Sequence, residues 1–293
     1  MEDNKKLILP DSLQPIKPDK RDFKLEHLGG IFGQAYYEKK SFITSTPKKI
    51  RWQRSADDDS CTARTVAAIL EDTEKTDIAE EWQFAKTKEQ YGTIDGFGAD
   101  LRTAFAVPKK YGALERYDCP YLFEREGRDF CANWVNYGEE LEAKASNHKQ
   151  NSYFRADNRP GAKDFFDSLV SSLWQYRDSQ FTSSLGFGIL YDPEWTYSND
   201  GVVENATPNQ SFGHAMKAFG YEYRPFTAGS EIHEAKEYLI VQNSAGKDVG
   251  KDGVFYFSRE VINTGAKFGA LMFVDISDEE IKRIKQSLSL IGQ

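Results

Sequence analysis

Cysteine is scarce in this 293-residue sequence, with three, and histidine is nearly as scarce, with four. Three thiols cannot form a disulfide framework, so the fold has to rest on a packed apolar core. No apolar run approaches the ~20 residues needed to span a bilayer. Near the start, Leu7-Ile8-Leu9 is cut off by Pro10 and is too short for a secretory leader. A cytoplasmic protein is expected, unless a non-Sec route, cell lysis or virion association releases it, with no membrane partner. Positive charge is also in deficit: 38 Lys and Arg face 46 Asp and Glu, a net charge of −8. That balance excludes a general nucleic-acid binder. His27, His148 and His233 have no metal-ligand spacing, and His233-Glu234 lacks the second histidine of a zinc-peptidase helix. Neither a metal nor a cofactor is implied. The sequons Asn205-Ala206-Thr207 and Asn209-Gln210-Ser211 carry no meaning without a secretory route.

What is present is material for a core. Hydrophobic residues make up 39% and aromatics 14% of a chain long enough for one large domain or two lobes sharing a cleft. Residues 1–20 are rich in Pro and Lys and read as a segment lying over the surface. Gly29, Gly30 and Gly33 argue against a long helix before Tyr37, and Phe42-Ile43-Thr44 reads as a short strand. Helical spacing follows over 78–87, 101–110 and 162–177, with a glycine-rich loop at 91–100 and a polar, weakly patterned excursion over 125–160. From Leu185 the period shortens to that of strands, at 186–191, 214–223, 237–243, 253–258 and 270–276, with a turn at Ser198-Asn199-Asp200-Gly201. Ser277 and Glu280 form a capping box for a last helix with Ile281, Ile284, Leu288 and Ile291 on one side. Helices first and strands second make an α+β order.

The chemistry gathers around Gln53-Arg54-Ser55-Ala56-Asp57-Asp58-Asp59-Ser60-Cys61-Thr62-Ala63. An acidic turn ending in Ser60 is a helix start signal, and Val66, Ala67, Ile69 and Leu70 supply a buried face. A cysteine at the first helical position has its thiolate favoured by the helix dipole. Alone it would read as a packing residue. A thiolate nucleophile needs a nearby base, for which histidine is suited, and the base needs an orienting partner. Gly213-His214-Ala215 followed by Gly220-Tyr221, and Gln242-Asn243-Ser244 followed by Gly250 and Gly253, offer both on predicted strands.

Taken in order, these segments resemble the papain-like cysteine peptidases, closest to bacterial and viral (phage-type) branches, over roughly residues 50–260. The resemblance implies a two-lobe α+β fold, with a helical N-terminal lobe (about 50–160) and a β-barrel-like C-terminal lobe (about 161–276). The segment 1–49 would wrap the surface and 277–293 would be the closing helix of a single catalytic domain. It also implies a Cys61-His214-Asn243 endopeptidase acting on a protein or peptide substrate, with Gly96 and Gly98 lining the cleft. No inhibitory propeptide pattern is apparent. The family's oxyanion glutamine falls at Ser55, with Gln53 two residues upstream, so either side chain, with the Cys61 N–H, is a candidate donor. Asp59 stands where the family has glycine and is expected to tolerate positive φ, and the run Asp57 to Asp59 to act as a solvated cap whose charge opposes the thiolate. Ala245 replaces the family's tryptophan, leaving the His214–Asn243 contact less shielded. The Ser55 and Ala245 departures keep open a catalytically weak or inactive binding or assembly protein on the same fold, and the same dyad would also serve a related amidase or isopeptidase. Cys119 and Cys131 remain either a pair or two unlinked thiols.

Overall fold

The computed structural model describes residues 13–14, 16, 34–46, 59–96, 98–178, 184–207, 212–228, 231–244 and 246–274, with 277, 279 and 283. Two short strands come first, β1 (Leu13–Gln14) and β2 (Phe42–Ile43). Helix α1 (Cys61–Glu74) is buried along nearly its whole length and ends at Lys75, which takes the left-handed conformation at φ 59°. Helix α2 (Glu80–Tyr91) ends on Gly92 in the same way, at φ 85°. After the glycine loop, β3 (Ala99–Asp100) runs into α3 (Leu101–Lys110), which Asp100 caps by accepting from the Thr103 N–H at 3.0 Å. Leu101, Ala104, Phe105 and Val107 give α3 its buried stripe.

The stretch expected to be an unpatterned excursion instead holds α4 (Phe123–Glu126), α5 (Arg128–Ala132), α6 (Glu139–Ala145) and a strand, β4 (Ser152–Arg155). Four residues of in–out alternation in β4 are too few to stand out from a polar background. Next come α7 (Phe165–Tyr176) and the strands β5 (Leu185–Tyr191), β6 (Val202–Val203), β7 (Phe212–Ala228), β8 (Glu231–Gln242) and β9 (Val254–Ser258). A further helix, α8 (Arg259–Gly265), is capped by Ser258 and is followed by β10 (Ala270–Val274). Its single turn of Val261 and Ile262 left no readable period in the sequence. The expected terminal helix falls almost wholly outside the described residues.

One eight-stranded sheet runs in the order β4-β10-β5-β7-β8-β9-β6, with β2 added beside β7. Among the described residues, strands β4 and β6 end it without pairing to each other, so the expected barrel-like lobe is an open, mainly antiparallel sheet. Closure requires hydrogen bonding round the whole circumference, and a two-residue edge strand does not supply it. The sheet has two covered faces, and β10 displays them by alternation. Met272 and Val274 join the core beneath α7 and α8, while Leu271 and Phe273 join the core beneath α1 and α3. Helix α1 is fastened to β7 by a buried ion pair, Lys217 Nζ to Asp72 Oδ2 at 2.6 Å, and by a bond from Lys217 to the Ala68 carbonyl. No helix among the described residues is long and apolar enough to cross a membrane.

Candidate active site

Cys61 opens α1, is fully buried, and shares an apolar cluster with Leu13, Ala215 and Phe268. The nucleophile candidate thus packs in the same cluster as the residue that follows His214. Ser60 does not cap the helix as its sequence position predicts. Its hydroxyl accepts instead from Arg64 Nε at 2.7 Å, and Arg64 pairs with Glu80 at 3.0 Å. None of the three cysteines is in a disulfide. Burial pushes the Cys119 thiol up and Cys131 to about 12, so both stay protonated at neutral pH and are no rivals to Cys61.

On the sheet, His214 Nε2 lies 2.9 Å from Asn243 Oδ1. The amide oxygen also accepts from the Ser244 N–H at 2.7 Å, which fixes its orientation. An acceptor oxygen there requires the proton on Nε2, and leaves Nδ1 as the basic nitrogen of the neutral ring. Burial lowers the His214 pKa to about 4, against the raising effect of the Asn243 bond. Sequence reasoning missed Tyr191. Its ring stands edge-on to His214 at 5.2 Å, and Asn243 Nδ2 reaches its hydroxyl at 3.5 Å. Ile189 pairs with His214 across β5–β7, so Tyr191 is the diagonal cross-strand neighbour. An aromatic two residues along an adjacent strand was the available signal. Tyr191 therefore covers the His214–Asn243 pair from β5; Ala245 lies outside the described residues, as do Gln53 and Ser55.

Gly96 and Gly98 sit in the loop before β3. Gly98 has φ 72°, a left-handed conformation suited to glycine. Their backbones turn inward: the Gly98 N–H donates to Asp59 Oδ2 at 2.6 Å, and both carbonyls accept from Lys88 Nζ, at 2.5 and 3.1 Å. Asp59 differs from expectation twice. It is not among the positive-φ residues, and it is buried at 1% exposure rather than solvated, because Lys88 and Arg128 compensate its charge.

At Leu13 the amino-terminal segment is buried rather than on the surface. Leu13 is only 2% exposed, and β1 pairs in parallel with β3, Leu13 opposite Ala99 and Gln14 opposite Asp100. A Cβ at Gly213, the residue before His214, would meet the Leu13 carbonyl oxygen at 2.8 Å, and one at Gly188 would collide with Leu13 and Phe268. Leu13 is wedged between the glycine-loop strand and the histidine strand because those two glycines leave it room.

The model of the papain family cysteine proteases matches residues 59–270. The chain belongs to the papain family of cysteine proteases. It is therefore a peptidase, a hydrolase of protein or peptide substrates. Solved structures of the same fold include xylellain, a cysteine protease from Xylella fastidiosa, at TM-score 0.66 and 20% identity over 90% of this chain and 95% of that one. The digestive procathepsin L2 proteinase of Tenebrio molitor larval midgut gives 0.62 and 18%, over 94% and 81% of the two chains. Bromelain protease from Ananas comosus, complexed with the E64 inhibitor, gives 0.56 and 18%, over 80% and 98%. No curated protein matches the sequence. In this papain-family chain the helix that opens at Cys61 packs against the sheet strand that carries His214.

Proposed function

We propose that the chain is a cysteine endopeptidase, one catalytic domain in which Cys61 is the nucleophile, His214 the base and Asn243 its orienting partner. The observation that supports it most is the 2.9 Å His214–Asn243 bond, which aims the ring, on a strand fastened to the helix that begins at Cys61. In the reaction His214 Nδ1 takes the thiol proton and the sulfur attacks the peptide carbonyl carbon. The resulting oxyanion is held by the Cys61 N–H and by Gln53 or Ser55. Collapse expels the amine, which takes the proton back from His214. Water, deprotonated by the same ring, then releases the acid from the thioester. On this reading substrate lies in extended form beside Ala99–Asp100, a strand edge that accepts a second strand in the fold. Leu13–Gln14 takes that strand edge in the form described, so the site is closed until β1 is displaced. Displacement hydrates His214 and brings its pKa back toward the ordinary value, which permits a thiolate–imidazolium pair.

Digestion of a peptide library with the full chain, a Leu13→Asp variant and Cys61→Ala tests this reading. Cleavage in the first two, greater in the second and absent in the third, is expected. Absence of cleavage in both leaves a binding protein on this fold.

A further inference from the structure

We propose that Asp59 is a positioning residue that, clamped by Lys88 and Arg128, holds the glycine loop in place and so fixes the adjoining Ala99–Asp100 edge with which an extended substrate pairs. The proposal rests on the reading of Cys61 as nucleophile and of Ala99–Asp100 as the substrate edge. Asp59 lies two residues before Cys61, and its two oxygens are fully used. Oδ2 accepts from the Gly98 N–H at 2.6 Å and from Lys88 Nζ at 2.5 Å, and Oδ1 accepts from Arg128 Nε at 3.0 Å. The two cations also hold the loop. Lys88 donates to the Gly96 and Gly98 carbonyls, and Arg128 donates to the Ile94 carbonyl at 2.8 Å and the Gly96 carbonyl at 3.1 Å. Both backbone polar groups of Gly98, and the carbonyls of residues 94 and 96, are thereby engaged within the clamp. The edge that remains for a bound chain is that of Ala99 and Asp100, which β1 now uses.

The charges agree with this arrangement. Burial opposes ionisation of Asp59, but Arg128 and Lys88 outweigh it and hold the carboxyl below the usual carboxylate range. Burial pulls Lys88 down, while Asp59 and an ionised Cys61 both favour its ammonium form. By reciprocity Lys88 favours the Cys61 thiolate, and a cluster of two cations and one carboxylate removes the penalty an unpaired Asp59 would impose. A helix start needs no such cluster; fixing a loop beside the nucleophile does.

Asp59→Asn keeps the shape and removes the charge. The double variant Asp59→Asn with Lys88→Met removes the fully buried pair together and leaves Arg128 its ion pair with Asp129. Two readouts apply to each in the full chain. Amide hydrogen exchange should quicken about tenfold over residues 94–100, as expected for loss of one charge-assisted bond, while residues 61–74 stay protected. The ratio of kcat/KM for an extended peptide to that for a single-residue ester should fall about tenfold, mainly through the peptide KM, with Cys61 alkylation by iodoacetamide changed less than about threefold in the double variant, where the lost carboxylate and ammonium offset each other at the thiolate. Competition from Leu13–Gln14 lowers both hydrolyses by one factor and cancels in the ratio. Unchanged exchange and ratio would overturn the proposal, as would ester hydrolysis and alkylation falling in step with the peptide. If the unmodified chain and its Leu13→Asp variant hydrolyse neither substrate, the peptidase reading fails, and the exchange measurement still decides the clamp.

Discussion

The two walls of the cleft are held by different forces. On the sheet wall, His214 and Asn243 are buried among aromatic rings and hydrogen-bond to each other, with no charged side chain among the described residues bonded to either. On the helix wall, the residues around Cys61 are buried just as deeply, but among charges: Asp59 with Lys88 and Arg128, and Arg64 with Glu80. An apolar wall keeps a titrating ring neutral until water reaches it, and a charged wall keeps a backbone in place without titrating. The comparison assigns the pH response to one side of the cleft and the shape to the other.

The largest expected effect removes the chemistry from either wall. Cys61→Ala and His214→Ala should each lower kcat by a factor on the order of 10⁴ or more in a peptide assay, and the double variant should be no worse than either, because the two act as a unit.

A second test separates the walls by pH. The His214 pKa is lowered to about 4 in the folded chain, from an ordinary value near 6.5. Between those values the unfolded chain takes up a proton that the folded one refuses, so folding stability is whole above about pH 6.5 and falls as pH drops toward 4. The loss should reach about 3 kcal/mol, from ~1.4 kcal/mol per pKa unit, read as the difference in urea unfolding between the full chain and His214→Gln across this window. A variant with the same slope as its parent would move the acid sensitivity to the charged wall.

Third is the occupant of the cleft. Leu13→Asp replaces a side chain whose burial contributes ~1.5–3 kcal/mol, so peptide hydrolysis should rise about 10-fold or more as β1 releases. Unchanged activity would mean that β1 does not compete with substrate. The smallest effect is expected at Tyr191→Phe. Its 3.5 Å contact with Asn243 is a weak bond, worth ~1 kcal/mol or less, whereas the ring that covers His214 remains. A fall of less than about tenfold in kcat is predicted, with a larger fall for Tyr191→Ala.

Sequence legibility follows the same division. The helix from Cys61, the loop and helix at 91–110 and the β7–β8 pair were readable because each announces itself locally, by period or by glycine. The His214–Asn243 contact was readable because both residues stand on predicted strands in a familiar order. Asp59 was misread because Lys88 is 29 residues away and Arg128 is 69, and nothing local distinguishes a solvated carboxylate from a clamped one. Leu13 was misread for a related reason: the vacancies it fills are made by Gly188 and Gly213, and an absent side chain leaves no pattern in a distant segment. The open sheet was missed because closure is a property of edges, which a strand count does not reveal.

The pH dependence of Cys61 alkylation by iodoacetamide tests the pairing of the two walls most directly, compared among the full chain, Leu13→Asp, and Leu13→Asp with His214→Ala. The account predicts slow labelling of the full chain. In Leu13→Asp, rapid labelling should persist well below the ordinary thiol pKa of about 8.5, and it should vanish in the double variant. An ordinary thiol profile in Leu13→Asp, indifferent to His214, would contradict it.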